Sequence, residues 1–234
     1  MQLKAPLLRL LALPLTVQAC TAACPDAPDP VLTLDFASRY EGSNATRSTL
    51  NAANAQAASD ALAPLDGFIS DLAKDLAEAL AENDTPRRTA AMDCLLQRMA
   101  VWAQANALST LITQSVELTI GARLAAFGII AETASRQASD TESLAQVTEW
   151  LALRVSEQMR FWETAPDGAS RGNLRAWAAL AAAASAALSN DPITRGWAAW
   201  STNYVLCTAN EDGSLPQEMS RGRLALHYQV HAIA

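Results

Sequence analysis

The sequence predicts an all-α protein built of stacked antiparallel helical hairpins, and three observations carry that expectation. Alanine supplies about a fifth of the 234 residues while glycine numbers only 9. That mixture favours helix, because alanine loses no side-chain entropy there and glycine loses the most backbone entropy. From Leu50 onward apolar residues recur three and four apart. Between these periodic stretches, capping and breaking residues gather in short clusters. No repeat of fixed period is present, which argues against a simple solenoid.

The elements follow in order. Residues 1–23 carry Lys4 and Arg9, then an apolar run from Leu10 to Leu15, then small residues around Ala19 to Ala23. This is the layout of a secretory signal, and the apolar run is too short to span a bilayer. Cleavage after Ala22 or Ala23 would release a soluble periplasmic or secreted protein. Cleavage after Ala19 would leave Cys20 first, as in a lipoprotein with a lipid anchor. Residues 24–50 form an N-terminal arm, proline-rich at its start and extended from Val31 to Phe36. The body, 51–234, then reads as a helix over 51–82 that stops at Asn83-Asp84-Thr85-Pro86 and a helix over 87–107 with the stripe Met92, Leu95, Leu96, Met99, Trp102 and Ala103. A third helix is expected over 110–136, and a fourth from the Asp140-Thr141-Glu142 cap to Trp162. After the loop Thr164 to Gly168 come helices near 173–189, 192–209 and 218–234. Helices of this length joined by short turns pack as antiparallel neighbours. The last one is apolar up to the final residue, so the chain reads as cut short there.

Charge and composition exclude several functions. The net charge is −7, with only two lysines, and phosphate backbones need clustered cations, so nucleic acid is set aside. Two histidines, both in the last eight residues, leave little for a metal site, and no cofactor is expected. In an oxidising compartment Cys24, Cys94 and Cys207 are open to disulfide formation. A Cys24–Cys94 bridge would pin the arm to the body; alternatively Cys94 is a small buried hydrophobe. We expect the bridge, with Cys207 left as a buried free thiol.

Chemistry concentrates in the second half. One neighbourhood is Arg171-Gly172-Asn173-Leu174-Arg175-Ala176-Trp177 at a helix start; a second is the loop from Glu211 to Glu218. The third is Arg221-Gly222-Arg223 with His227, Tyr228 and His231 on the last helix, where one face can present Arg221, Tyr228 and His231. Singly, Asn173 reads as an N-cap, Trp177 as core and the arginines as solvated charges. Together they make a cationic, hydrogen-bonding group in an acidic protein, suited to a polyanion bearing carboxylates.

Along these stretches the chain resembles the alginate lyases, poly(β-D-mannuronate) lyases of polysaccharide lyase family 5. The resemblance starts at Cys24-Pro25 and runs through Phe36-Ala37-Ser38-Arg39-Tyr40-Glu41-Gly42-Ser43 to Arg47-Ser48-Thr49-Leu50-Asn51. It resumes at Cys94-Leu95, Trp102-Ala103 and Ala107-Leu108. It is clearest from Trp177 through Trp197-Ala198-Ala199-Trp200 and Asp212-Gly213-Ser214-Leu215-Pro216-Gln217-Glu218 to Arg221 and Tyr228. It implies an α/α toroid and β-elimination of a uronic-acid polymer by a monomeric enzyme. It further implies Tyr228 as acid/base, Arg221 supporting the tyrosine or the carboxylate, and Asn173 on the carboxylate. Trp177 would wall the sugar groove, with Arg171, Arg175, His227 and His231 as further substrate-binding groups. Two positions depart from the family pattern: its catalytic histidine falls on Leu174, and its lysine on Ala53 or Gln56. Family members also continue for several helices past the tyrosine, so an incomplete toroid is implied. The competing expectations are a polyuronate lyase, a polyuronate-binding protein that does not cleave, and a helical exported protein with no carbohydrate role that shares only the scaffold.

Overall fold

The computed structural model describes residues 24–42 and 46–233. The expected signal over 1–23 lies outside the described residues. Nine α-helices are found among those described: α1 Ala52–Ala81, α2 Thr85–Gln104, α3 Gln114–Thr119, α4 Gly121–Ser135, α5 Thr141–Thr164, α6 Asn173–Ser189, α7 Pro192–Leu206, α8 Pro216–Met219 and α9 Ala225–Ile233. Their starts are written in the sequence. The side chains of Asn51, Asp84, Asp140 and Asp191 each accept the free N–H of the first turn that follows, and Pro86 and Pro192 occupy first-turn positions where no N–H is needed.

The helices stand in two rows. α1, α4, α6 and α9 pack side by side as an inner row, with α2 and α5 behind them and α7 behind α6. This is the double wall of part of an α/α toroid. The core between the rows centres on aromatic contacts. Phe68 of α1 stacks on Trp102 of α2 at 4.7 Å, and Phe127 of α4 meets the edge of Trp150 of α5 at 5.2 Å. All four are buried, and such rings bring both large buried area and preferred geometry. The α2 stripe read from the sequence is this core: Met92, Leu95, Leu96, Met99 and Trp102 are buried. Where α4 meets α6 the helices touch through small residues, and a Cβ added to Gly128 would stand 2.8 Å from that of Ala184.

Three expectations need correction. The helix expected over 110–136 is interrupted. Thr110–Leu111 instead forms a strand, β2, parallel to β1 (Thr33–Leu34) in the arm. The arm's backbone groups need partners, and Leu108, Thr110 and Ile112 donate to the carbonyls of Val31, Leu32 and Leu34. The helix expected over 218–234 is also broken. Gly222 adopts φ +56°, a left-handed conformation that glycine takes without strain, so Arg221 and Arg223 precede α9 rather than lying on it. Finally, Cys207 is exposed, not buried: it sits just past the end of α7, with nothing packed over it.

Three contacts fasten the arm and the last segments to the body. Cys24 is bonded to Cys94 of α2, and Trp102 donates its indole N–H to the Pro28 carbonyl at 2.9 Å, so the arm is held at both points. At the other end, Glu218 of α8 is 2% exposed and accepts the backbone N–H of Asn173 at 2.6 Å. It thereby caps the otherwise uncapped α6, whose N-cap residue is Gly172. A Cβ on Gly172 would lie 2.1 Å from the Glu218 carboxylate oxygen, so only glycine admits this approach.

Breaking the bridge with Cys24→Ala and Cys94→Ala is expected to lower unfolding free energy by about 2–5 kcal/mol, seen as a lower urea midpoint. Burial raises the Glu218 carboxyl above its ordinary value, while the Asn173 N–H and Arg221 pull it down. A raised folded value means that folding favours the protonated acid. The stability contributed is therefore present at acid pH and lost as pH rises through the raised value. Glu218→Gln keeps an oxygen for Asn173 and should abolish that pH-dependent part of the unfolding curve. Glu218→Ala leaves a buried N–H bare and should cost about 1–3 kcal/mol.

Candidate functional site

A cavity of about 350 Å³ opens on the face of the inner row. The arm forms one rim. Tyr40 and Leu50 pair as an antiparallel bridge, with Glu41 N–H to Thr49 O at 3.0 Å and Asn51 N–H to Arg39 O at 2.9 Å. This small hairpin presents Arg39, Tyr40 and Arg47 to the cavity. The opposite wall is α9, which turns His227, Tyr228 and His231 inward, and α6 supplies Asn173, Leu174 and Trp177 between them. α9 also leaves Leu226 76% and Val230 51% exposed on its other side.

The segment before α9 ties the two rims together. Arg221 donates to the Arg47 carbonyl at 3.1 Å, and Arg223 to that of Ser48 at 2.9 Å. The Arg221 guanidinium also lies 4.0 Å from the centre of the Tyr228 ring and 5.1 Å from that of Tyr40, and the two phenols are hydrogen-bonded to each other. One guanidinium thus covers a coupled pair of tyrosines. Its Nε is buried with no hydrogen-bond partner among the described residues. A buried donor without an acceptor is expensive, and here the guanidinium is covered by the Tyr228 ring instead.

Beyond Tyr228 the rings continue in a row. His227 meets Tyr228 at 5.0 Å and His231 at 4.9 Å, and His231 meets Trp177 of α6 at 6.2 Å. The charges lining the cavity are of one sign. Arg39, Arg47, Arg123 and Arg221 border it, and no Asp or Glu does among the described residues. Arg123 is neutralised by Asp66 through two contacts of 2.8 and 2.9 Å; Arg39, Arg47 and Arg221 have no carboxylate partner among the described ion pairs. In a chain of net charge −7, a concave surface of this kind focuses a positive potential on an anionic ligand. A second hollow of about 340 Å³ adjoins it, sharing Arg47, Asn173, Leu174 and Arg221 and bordered by Glu218.

Six of the residues singled out from the sequence therefore meet in one cavity: Asn173, Trp177, Arg221, His227, Tyr228 and His231. Two do not. Arg171 is exposed and paired with Asp167 at 2.7 Å. Arg175 is buried on the far side of α6, where it donates to Ser201 and lies 4.6 Å from Trp200 and 4.8 Å from Tyr204 of α7. The helical period explains Arg175, which follows Asn173 and Leu174 by too little to share their face; Arg171 lies outside α6, at the end of the turn Ala169–Arg171. Asn173 is not the cap of α6 but its first residue, capped from outside by Glu218. Arg39, Tyr40, Arg47 and Arg123 escaped the sequence reading. The first three lie within the stretches that carried the family resemblance, and an adjacent Arg-Tyr pair in such a stretch was the available signal. Arg123 gave none.

The alginate lyase family model matches residues 118–234. Curated relatives include the alginate lyase of Pseudomonas syringae pv. syringae (strain B728a), 27% identical over 218 residues. The alginate lyase of Pseudomonas putida (strain W619) is 28% identical over 219 residues. Each alignment takes in 90% of this chain but 56% and 58% of the relative, so the chain spans a little over half the length of the curated relatives it matches. Among solved structures, alginate lyase A1-III from Sphingomonas species A1 superimposes with a TM-score of 0.67 at 22% identity, over 92% of this chain and 57% of that one. A histidine-to-alanine variant of A1-III, complexed with a tetrasaccharide, gives 0.72 at 22% identity, over 89% and 57%. These structures share the α/α-toroid fold seen here. The family match spans half the chain and takes in α6 and α9, the two helices that carry Asn173, Trp177 and Tyr228: the chain belongs to the alginate lyase family.

Proposed function

We propose that the cavity is the cleavage site of an exported polysaccharide lyase that acts on a uronic-acid polymer, polymannuronate or a related polyuronate, by β-elimination. The observation that carries this reading is the Arg221–Tyr228–Tyr40 arrangement inside a cavity whose charged lining, among the described residues, is arginine without carboxylate. The family relatives named as alginate lyases, and the A1-III variant that holds a tetrasaccharide, support it. Export rests on the signal layout of residues 1–23, and the Cys24–Cys94 bridge suits an oxidising compartment.

The difficult step is removal of the C5 proton, which places negative charge on C5 and its carboxylate. Arg221 and Asn173 both line the cavity, and the guanidinium and the amide would hold that carboxylate as charge develops. Tyr228, as its phenolate, takes the C5 proton and becomes the phenol, the C5–H electrons form the C4–C5 double bond, and the C4–O bond breaks. In a syn elimination the same phenol returns a proton to the departing glycosidic oxygen. Tyr40, hydrogen-bonded to Tyr228, fixes the direction of that phenol. Trp177 offers a ring against which a sugar face can rest.

A second reading is favoured by one residue. Leu174, at the position of the family histidine, lines the cavity and can neither take a proton nor offset a charge. This favours a groove that binds polyuronate without cutting it. Ultraviolet absorbance of the new C4–C5 double bond separates the two: polymannuronate or polyglucuronate gives a rising signal with a lyase, and none with a binder that still retains the polymer. For a lyase, Tyr228→Phe should cut kcat by about 10²–10⁴-fold with binding nearly unchanged. Arg221→Ala should lower kcat/KM by about 10²–10³-fold. Full activity in Tyr228→Phe would remove the acid/base assignment.

A further inference from the structure

His231 occupies a place that the elimination chemistry does not use. It stands one turn beyond Tyr228 on α9, its ring 6.5 Å from that of Tyr228 and 6.2 Å, edge-on, from Trp177 on α6. It therefore closes the gap between the two helices that flank Leu174. Trp177 follows Leu174 by three residues, so both project on the same face of α6. That face presents an aromatic ring, a leucine and the Asn173 amide, but no charge. The positive groups of the cavity come instead from the arm, α4 and the segment before α9: Arg39, Arg47, Arg123 and Arg221. His231 reaches that wall through its edge-on contact with Trp177, while the carboxylate at the start of α6, Glu218 of α8, is engaged with the Asn173 N–H.

We propose that His231, as an imidazolium, binds the carboxylate of the sugar unit next to the one at Tyr228, supplying from α9 the charge that α6 lacks at Leu174. The proposal rests on the polyuronate reading above. The ring-to-ring distance of 6.5 Å places this contact beside the reacting unit rather than on it, so His231 is a positioning and specificity residue. It has no carboxylate partner of its own among the described residues and is exposed to the cavity, leaving the imidazole free to take one from a ligand. A carboxylate that binds the imidazolium rather than the neutral ring couples ligand binding to uptake of one proton.

The test uses the full chain carrying Tyr228→Phe, which silences turnover, and a mannuronate tetramer as the probe. Its affinity is measured at about pH 5.5 and about pH 8.5, on either side of the imidazole range. The tetramer is expected to bind about tenfold more tightly at the lower pH. Adding His231→Gln should erase that difference and leave the weaker affinity at both values. His231→Lys should restore tight binding at both, because its charge persists, and this also shows that the position tolerates substitution. His227→Gln should keep the difference. A pH difference that survives His231→Gln, or one that His227→Gln removes, overturns the proposal while leaving the polyuronate site standing. Failure of the Tyr228→Phe chain to bind any polyuronate overturns both together.

Discussion

A single buried carboxylate holds the two halves of the cavity in register. Glu218 lies at the N-terminal end of α6, where the first N–H groups have no partner within the helix, and it accepts the Asn173 N–H at 2.6 Å. α8 is only four residues long and would not persist as a helix alone. Anchored to α6, it sets where the chain emerges at Arg221 and hence where α9 lies. The anchoring depends on Gly172, whose missing side chain leaves the room that the carboxylate fills. Asn173 on one side and Arg221 with Tyr228 on the other thus face a common space because one side chain joins their supports.

From that junction the contacts run back to the start of the chain. Arg221 and Arg223 grip the carbonyls of Arg47 and Ser48, and the phenols of Tyr40 and Tyr228, 188 residues apart in sequence, share a hydrogen bond. The arm is in turn pinned to the body through Cys94 and through strand pairing with Thr110–Leu111. A loop closed over such a distance is entropically costly, and the cost grows only slowly with length once the ends are fixed elsewhere. The disulfide, the short parallel ladder and the arginine contacts each shorten the remaining free chain, so the rim of the cavity is held by several modest interactions rather than by one.

Charge distribution gives the cavity its chemical character. The chain is acidic overall, yet the lining residues with charge are arginines, of which Arg123 is ion-paired with Asp66 while Arg221 acts on the nearby Glu218. Arg175, by contrast, spends its guanidinium against Trp200 and Tyr204 behind α6, where it braces the two rows of helices and touches no ligand space. Two cations four residues apart on either side of one helix start, Arg171 and Arg175, thus serve the surface and the core while cations from distant segments serve the site.

What was legible in the sequence follows from the range of the forces involved. Helix starts at Asn51, Asp84, Asp140 and Asp191, and the buried stripe from Met92 to Trp102, are local: a cap bonds within one turn and an apolar stripe repeats every three or four residues. The family resemblance placed Asn173, Trp177, Arg221 and Tyr228 in one site on short motifs. Tertiary structure alone decided the rest. Thr110–Leu111 left the helical pattern because the arm's carbonyls needed donors, and the last helix broke at Gly222 because Glu218 had to reach α6. Tyr40, Arg39 and Arg47 joined the site because a backbone hairpin and two arginines brought the arm across the groove. Those outcomes depend on partners 45 to 188 residues away, and no local pattern of residues encodes which partner a given carbonyl, carboxylate or phenol will meet.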